Sequence, residues 1–288
     1  MILDAYDTLS NDVTMPKLGL GTWFIPEDGA AEAVKQAVAL GYRLFDTAQA
    51  YGNEAGVGQG VRECGLAREE IFVTTKVAAE HKTYEEAARS IDESLEKMGL
   101  DYLDMILIHS PQPWDKVNQS DNRYLEENRQ VWCALEDALR AGKVRAIGLS
   151  NFLEADIENI WTAAEIKPMV NQVLCHIGNT PQGLLDFCKS RDIVVEAYAP
   201  VAHGVALENA EIGAMAEKYG VSIPQLCIRY DLQLGTIPLP KTANPEHLRL
   251  NAEVDFVISD EDMTVLKHIT PLKDYGEFGR FPVFGGKK

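Results

Sequence analysis

Residues 104–109 read Asp-Met-Ile-Leu-Ile-His, and the four apolar residues between the polar ends do not alternate with polar ones. A strand with one wet face alternates; a strand covered on both faces, as in a parallel sheet, reads as a continuous apolar run. Upstream, residues 84–98 place Ala87, Ile91, Leu95 and Met98 at three- and four-residue spacing, the apolar stripe of a helix, and Gly99 stands just past its end. Downstream, a long polar loop leads to a second helical stretch at 125–141 and then to the apolar run 144–150. Strand and helix in alternation are the repeating parts of a parallel sheet.

The same pair recurs along the whole chain. Strand-like runs at 18–23, 43–47, 71–76, 104–109, 144–150, 169–173, 193–198 and 236–240 are separated by helix-like stretches at 30–40, 54–63, 84–98, 125–141, 154–164 and 182–190. Two helical pieces, 210–219 and 223–234, precede the last strand, and a short helix starts after it near Asn244-Pro245. Gly41, Gly142 and Gly220 sit, like Gly99, where helices end. Eight such units predict a single parallel (β/α)8 barrel of the TIM type, an α/β fold spanning residues 1–288 as one domain. A short N-terminal hairpin precedes it, with a turn around Pro16 before the first barrel strand, and a C-terminal tail or loop lies over the catalytic face. An open doubly wound sheet would carry Gly-x-Gly-x-x-Gly after its first strand. Here Gly19-Leu20-Gly21 is followed by Phe24 where the third glycine belongs.

The net charge of −17 leaves no basic face with which to displace counterions from a polyanion, so neither nucleic acid nor an anionic membrane surface is expected as a partner. Residues 1–12 are acidic and lack the basic start and apolar core of an export signal. No apolar run approaches the ~20 residues of a spanning helix. The five cysteines, Cys64, Cys133, Cys175, Cys188 and Cys227, form no Cys-x-x-Cys pair, and nothing completes a tetrahedral set around Cys175-His176. These features predict a cytoplasmic protein with reduced thiols and no metal.

Catalytic groups of such barrels stand at the C-terminal ends of the strands. There the sequence puts Asp46, Lys76, His109, Ser150, Asn151, Gln172, Tyr198 and Lys241, with Tyr51 in the loop after Asp46. A buried lysine needs an anion, and Asp46 is suited to be it. A tyrosine beside that ammonium would be lowered from about 10 and would donate a proton to a carbonyl oxygen. A neutral His109 would orient the same oxygen. No side chain supplies hydride, whereas a nicotinamide does. Ser150, Asn151 and Gln172 suit its carboxamide and Tyr198 its ring.

Residues 41–54, Gly-Tyr-Arg-Leu-Phe-Asp-Thr-Ala-Gln-Ala-Tyr-Gly-Asn-Glu, resemble the aldo-keto reductase signature that holds the catalytic aspartate and tyrosine. Thr74-Thr75-Lys76 and Ile106-Leu107-Ile108-His109 resemble the segments bearing its lysine and histidine. Ile147–Phe152, Val170-Asn171-Gln172, Ala197–Pro200 and the stretch from Ile237 to Asn251 are similar to its cofactor segments. The resemblance implies the tetrad Asp46, Tyr51, Lys76 and His109, and NADP(H)-dependent reduction of a small aldehyde or ketone, by a monomer in preference to an oligomer. It assigns the cofactor to Ser150, Asn151, Gln172, Tyr198, Lys241, Thr242, His247 and Asn251.

The chain departs from that pattern at three places. Ala199 replaces the serine that commonly follows the stacking tyrosine. His247 stands where arginine is frequent and Leu250 where glutamate is, which predicts weaker grip on a 2′-phosphate and some use of NAD(H), unless Arg249 compensates. The loop 111–128 with Trp114, and the tail aromatics Tyr275, Phe278, Phe281 and Phe284, would join Trp23, Phe24 and Tyr51 around a substrate pocket. Two other roles compete: a nucleotide-binding redox sensor or regulatory subunit with slow turnover, and a Schiff-base barrel working through Lys76.

Overall fold

The computed structural model describes residues 1–285. A hairpin of β1 (Tyr6–Thr8) and β2 (Thr14–Pro16) opens the chain. Pro16 ends the second strand, paired with Tyr6; the hairpin turns within residues 9–13, and the chain bends again at Lys17 and Leu18, just past the proline, on its way into the barrel. Proline at a strand's end loses no ladder hydrogen bond that matters to the pairing.

Eight parallel strands follow: β3 (Gly19–Gly21), β4 (Leu44–Asp46), β5 (Phe72–Val77), β6 (Leu103–Ile108), β7 (Val144–Ser150), β8 (Val170–Leu174), β9 (Val194–Tyr198) and β10 (Ile237–Leu239). They pair in strict chain order and form a nearly closed barrel. Between them lie α1 (Glu27–Ala39), α2 (Glu54–Glu63), α3 (Tyr84–Met98), α4 (Leu125–Arg140), α5 (Glu154–Ala163), α6 (Gln182–Lys189), α7 (Ala210–Tyr219) and α8 (Ile223–Gln233), and α9 (Pro245–Ala252) and α10 (Asp260–Lys267) follow β10. β5 and β6 are buried along their full length, the apolar run Met105–Ile108 as its pattern requires, and Thr74, Thr75 and Lys76 of β5 in spite of their polarity.

The barrel closes where β3 meets β10. Gly21 donates its amide to the Pro240 carbonyl at 3.1 Å and bridges Lys241. A Cβ on Gly19 would stand 2.6 Å from Leu239 Cδ2, and one on Gly21 3.0 Å from the Leu239 carbonyl oxygen. The two glycines therefore serve strand closure, not a phosphate turn. α3 ends as its sequence predicts, with Gly99 in the left-handed region at φ 62°, where a side chain would be strained.

α10 has no counterpart in the sequence-predicted elements. It is started by the Ser259 cap on Asp262 and buries only Met263 and Leu266 among its apolar side chains, too few to register as a stripe. With α7, α8 and the tail it encloses a second apolar cluster containing Tyr230, Tyr275 and Phe284, beside the main cluster around the barrel. No helix among the described residues is long and apolar enough to cross a membrane.

Candidate active site

Asp46 is the last residue of β4 and Lys76 lies near the end of the adjacent β5, so parallel pairing brings two chain segments thirty residues apart to one rim. Lys76 is fully buried, and its ammonium donates to Asp46 Oδ1 at 2.6 Å, to the Thr47 carbonyl at 2.9 Å and to the Tyr51 hydroxyl at 3.4 Å. Such an ion pair is tolerable away from water only because every donor has an acceptor. Tyr51 is carried in by the short 3-10 turn Gln49–Tyr51 and stands half-buried in the wall of a cavity of about 570 Å³.

His109 follows β6 and closes the group: its ring meets Tyr51 edge-on at 5.6 Å and Trp114 at 4.9 Å, both centroid distances. Its Nδ1 is buried without a partner. Burial, reinforced by the Lys76 ammonium, holds this imidazole well below its ordinary range, so it is neutral. The structure thus brings all four predicted catalytic residues together.

One electrostatic expectation is corrected. The Lys76 ammonium does not bring the Tyr51 phenol below its ordinary range. Burial pushes that phenol well above its ordinary range, and the charges of Asp46 and Glu196 push it further. Asp46 lies closer to the ammonium, at 2.6 Å, than Tyr51 does, at 3.4 Å, and burial together with the carboxyl groups outweighs the ammonium's pull on the phenol. Tyr51 is therefore a protonated donor at neutral pH.

Ser150, Asn151, Gln172, Tyr198 and Lys241 line the same cavity. Asn151 adopts φ 61°, and its side chain is spent on protein partners: Nδ2 donates to the His109 carbonyl at 3.0 Å, and Oδ1 accepts from the Tyr198 hydroxyl at 2.7 Å. It ties β7, β9 and the His109 loop together. Gln172 Nε2 donates to Asp46 Oδ1 at 2.8 Å and to Glu196 Oε2 at 2.9 Å. Both amide hydrogens being used, Gln172 keeps its carbonyl oxygen for a ligand, while the Ser150 hydroxyl accepts from Asn151 and keeps its own proton to give. Thr242, His247 and Asn251 stand outside the cavity lining, on the loop and helix after β10.

At the head of α9, Asn244 already caps the amides of Glu246 and His247. His247 is exposed. Arg249 is claimed by carboxylates, donating to Glu246 at 2.7 Å and to Glu253.

The mouth is aromatic. Trp23 and Phe24 pack at 4.5 Å, and the tail folds over them, with Phe281 at 4.9 Å from Trp23. Phe278 stacks on His203 at 4.1 Å. The tail is pinned by the Tyr275 hydroxyl, 3.0 Å from His176 Nε2, and by Asn118, which donates to the Pro282 carbonyl at 3.2 Å. Phe24, Asn151, Ala199, Ala202 and His203 all have positive φ, so backbone strain gathers at this rim.

Two residues were missed from the sequence. Glu196 sits in the middle of β9, fully buried, and a charged residue inside the run Val194–Tyr198 was the available signal. His203 carried none, because only the tail's folding makes it a wall of the cavity.

The model of the aldo/keto reductase family matches residues 17–270. A glyoxal reductase of Bacillus subtilis is 43% identical over 258 residues, covering 88% of this chain and 89% of its own. Among solved structures, an aldo/keto reductase from Brucella melitensis superposes with a TM-score of 0.85 at 33% identity, over 93% of this chain and 98% of that one. A Bombyx mori aldo-keto reductase in complex with NADP gives a TM-score of 0.85 at 30% identity, over 96% of each chain.

Proposed function

The chain belongs to the aldo/keto reductase family of oxidoreductases, and on that premise we propose that it reduces aldehyde or ketone carbonyls to alcohols with NADPH, and also with NADH. The observation that carries the reading is the Lys76 ammonium held between Asp46 and the Tyr51 hydroxyl beside an aromatic cavity.

A nicotinamide dinucleotide supplies the hydride when bound. The donor set suits it: a carboxamide needs one acceptor and one donor, and Gln172 and Ser150 provide one of each at the cavity, with the Tyr198 ring in the same wall. Everything else falls to the chain's own side chains. The neutral His109 imidazole offers an N–H to the carbonyl oxygen and holds it beside Tyr51. As that oxygen gains negative charge, the Tyr51 O–H passes its proton to it, and the phenolate left behind is met by the Lys76 ammonium. Lys76 acts as a charge and not as a nucleophile, since its nitrogen is enclosed by three acceptors. This arrangement argues against Schiff-base chemistry.

Use of both cofactors follows from the adenosine end. His247 is exposed and offers a ring nitrogen where arginine would give a bidentate fork. Arg249, bound by Glu246 and Glu253, has little charge to spare, which leaves Lys241 as the cation for a 2′-phosphate. The aromatic mouth favours substrates with an apolar body as well as small dicarbonyls of the kind the glyoxal reductase name denotes.

The test is loss of reduced-nicotinamide absorbance against glyoxal and aryl aldehydes, with NADPH and NADH in parallel. Tyr51→Phe removes nearly all turnover and leaves cofactor affinity within a factor of about three. Undiminished turnover in that variant refutes the proton assignment. Flat traces with intact cofactor binding return the chain to the sensor role.

A further inference from the structure

Glu196 has no part in the reaction derived above, yet it is an acidic side chain buried in the barrel. It lies at mid-strand in β9, fully buried, and its Oε1 has no hydrogen-bond partner. Its Oε2 takes one hydrogen of the Gln172 amide at 2.9 Å, and the other hydrogen goes to Asp46 Oδ1 at 2.8 Å. Register explains the arrangement, because Gln172 and Glu196 are direct neighbours across β8 and β9. A single neutral amide thus separates two carboxyl groups, and one ammonium, Lys76, serves the site.

We propose that Glu196 is a positioning residue for proton transfer: held uncharged beneath the cavity, it fixes the Gln172 amide and through it Asp46, so that Lys76 faces Tyr51 with one carboxylate and not two. The inference rests on the reading of Tyr51 as the donor. The amide cannot turn over while both its hydrogens are taken, so its carbonyl stays toward the cavity. The charged groups acting on Glu196 are Asp46 on β4 and Lys76 on β5, with the Tyr51 phenol beyond them. Burial first, and Asp46 second, hold the carboxyl up at about 8. Below that pH, Asp46 and Lys76 cancel. Above it, the site gains a net negative charge that opposes the phenolate formed in the reaction.

Two readouts test this, both comparing wild type with Glu196→Gln, which keeps the shape and the acceptor but cannot ionise. In wild type kcat declines above pH 8, reaching about tenfold below its plateau at pH 9, and in Glu196→Gln that decline is absent. The second readout needs no turnover. The folded state keeps a proton that an unfolded glutamate releases near pH 4.3, so this group's contribution to stability is greatest below that pH and is lost as pH rises toward 8. The melting temperature of Glu196→Gln therefore gains on wild type progressively between pH 5 and pH 8. Parallel melting curves overturn the inference. So do diverging melting curves with superimposable rate profiles, since Glu196 would then be uncharged without acting on Tyr51. If wild type turns over no carbonyl, the proposed reaction fails on its own account. The ultraviolet titration of Tyr51, taken against Tyr51→Phe, then replaces the rate, and an unmoved titration in Glu196→Gln overturns the inference.

Discussion

Replacing Lys76 by methionine removes the ammonium while keeping most of the length of the side chain. Two separate consequences follow. For catalysis, the lost quantity is the attraction between the ammonium and the phenolate growing on Tyr51, 3.4 Å away. A full charge at that distance and an effective dielectric near 20 is worth ~5 kcal/mol. With about half the charge developed in the transition state, ~2.5 kcal/mol is lost, a fall in kcat of roughly 10²-fold. For folding, Asp46 is left buried without its cation, which costs on the order of 3–5 kcal/mol. The two effects are separated by a second variant, Lys76→Met with Asp46→Asn, in which no charge is stranded. Stability, read from urea midpoints, returns toward wild type in the double variant, whereas kcat for aldehyde reduction stays down. Recovery of turnover in the double variant refutes the reasoning, for then Lys76 serves only to neutralise Asp46. Tenfold or smaller loss in a well-folded single variant refutes it as well.

The neutral state of His109 has a pH signature. Because burial and Lys76 hold the imidazole down, kcat/KM shows no histidine limb between about pH 5.5 and 7.5, and an inflection there that vanishes in His109→Gln contradicts the assignment. The same group lends stability above the unfolded histidine value, about 6.5, that is lost as pH falls below it, so the acid-side fall in melting temperature is shallower in His109→Gln. At the adenosine end, Glu246→Gln with Glu253→Gln frees Arg249, and the KM for NADPH falls by roughly threefold or more while that for NADH stays level. Equal change for both cofactors would show that Arg249 does not reach the 2′-phosphate.

Much of this molecule was legible in the order of its residues. The apolar run 105–108 and the helical stripe before it are local patterns, and a strand buried on both faces between amphipathic helices has few places to go but a parallel sheet. Eight repeats then put Asp46, Lys76, His109, Ser150 and Tyr198 at strand ends on one rim, and the resemblance of residues 41–54 to the aldo-keto reductase signature added Tyr51 and implied the catalytic roles. α10 escaped because Met263 and Leu266 are its only buried apolar residues, too few to mark a stripe.

What folding alone decided is of another kind. Gly19 and Gly21 read as a failed phosphate turn until β10 came against β3 and left no room for a Cβ. Arg249 was a spare cation until two neighbouring carboxylates were seen to hold it. Glu196 became a buried carboxyl facing Gln172 only through the pairing of β8 and β9, and Tyr51, expected to be acidified by Lys76, is held protonated first by burial and then by the neighbouring carboxyl groups. Sequence determines periodicity, and periodicity determines which element a residue joins. A proton's affinity is a sum over burial and over charges from β4, β5, β8 and β9 at distances of a few ångströms, and those distances exist only once the barrel has closed.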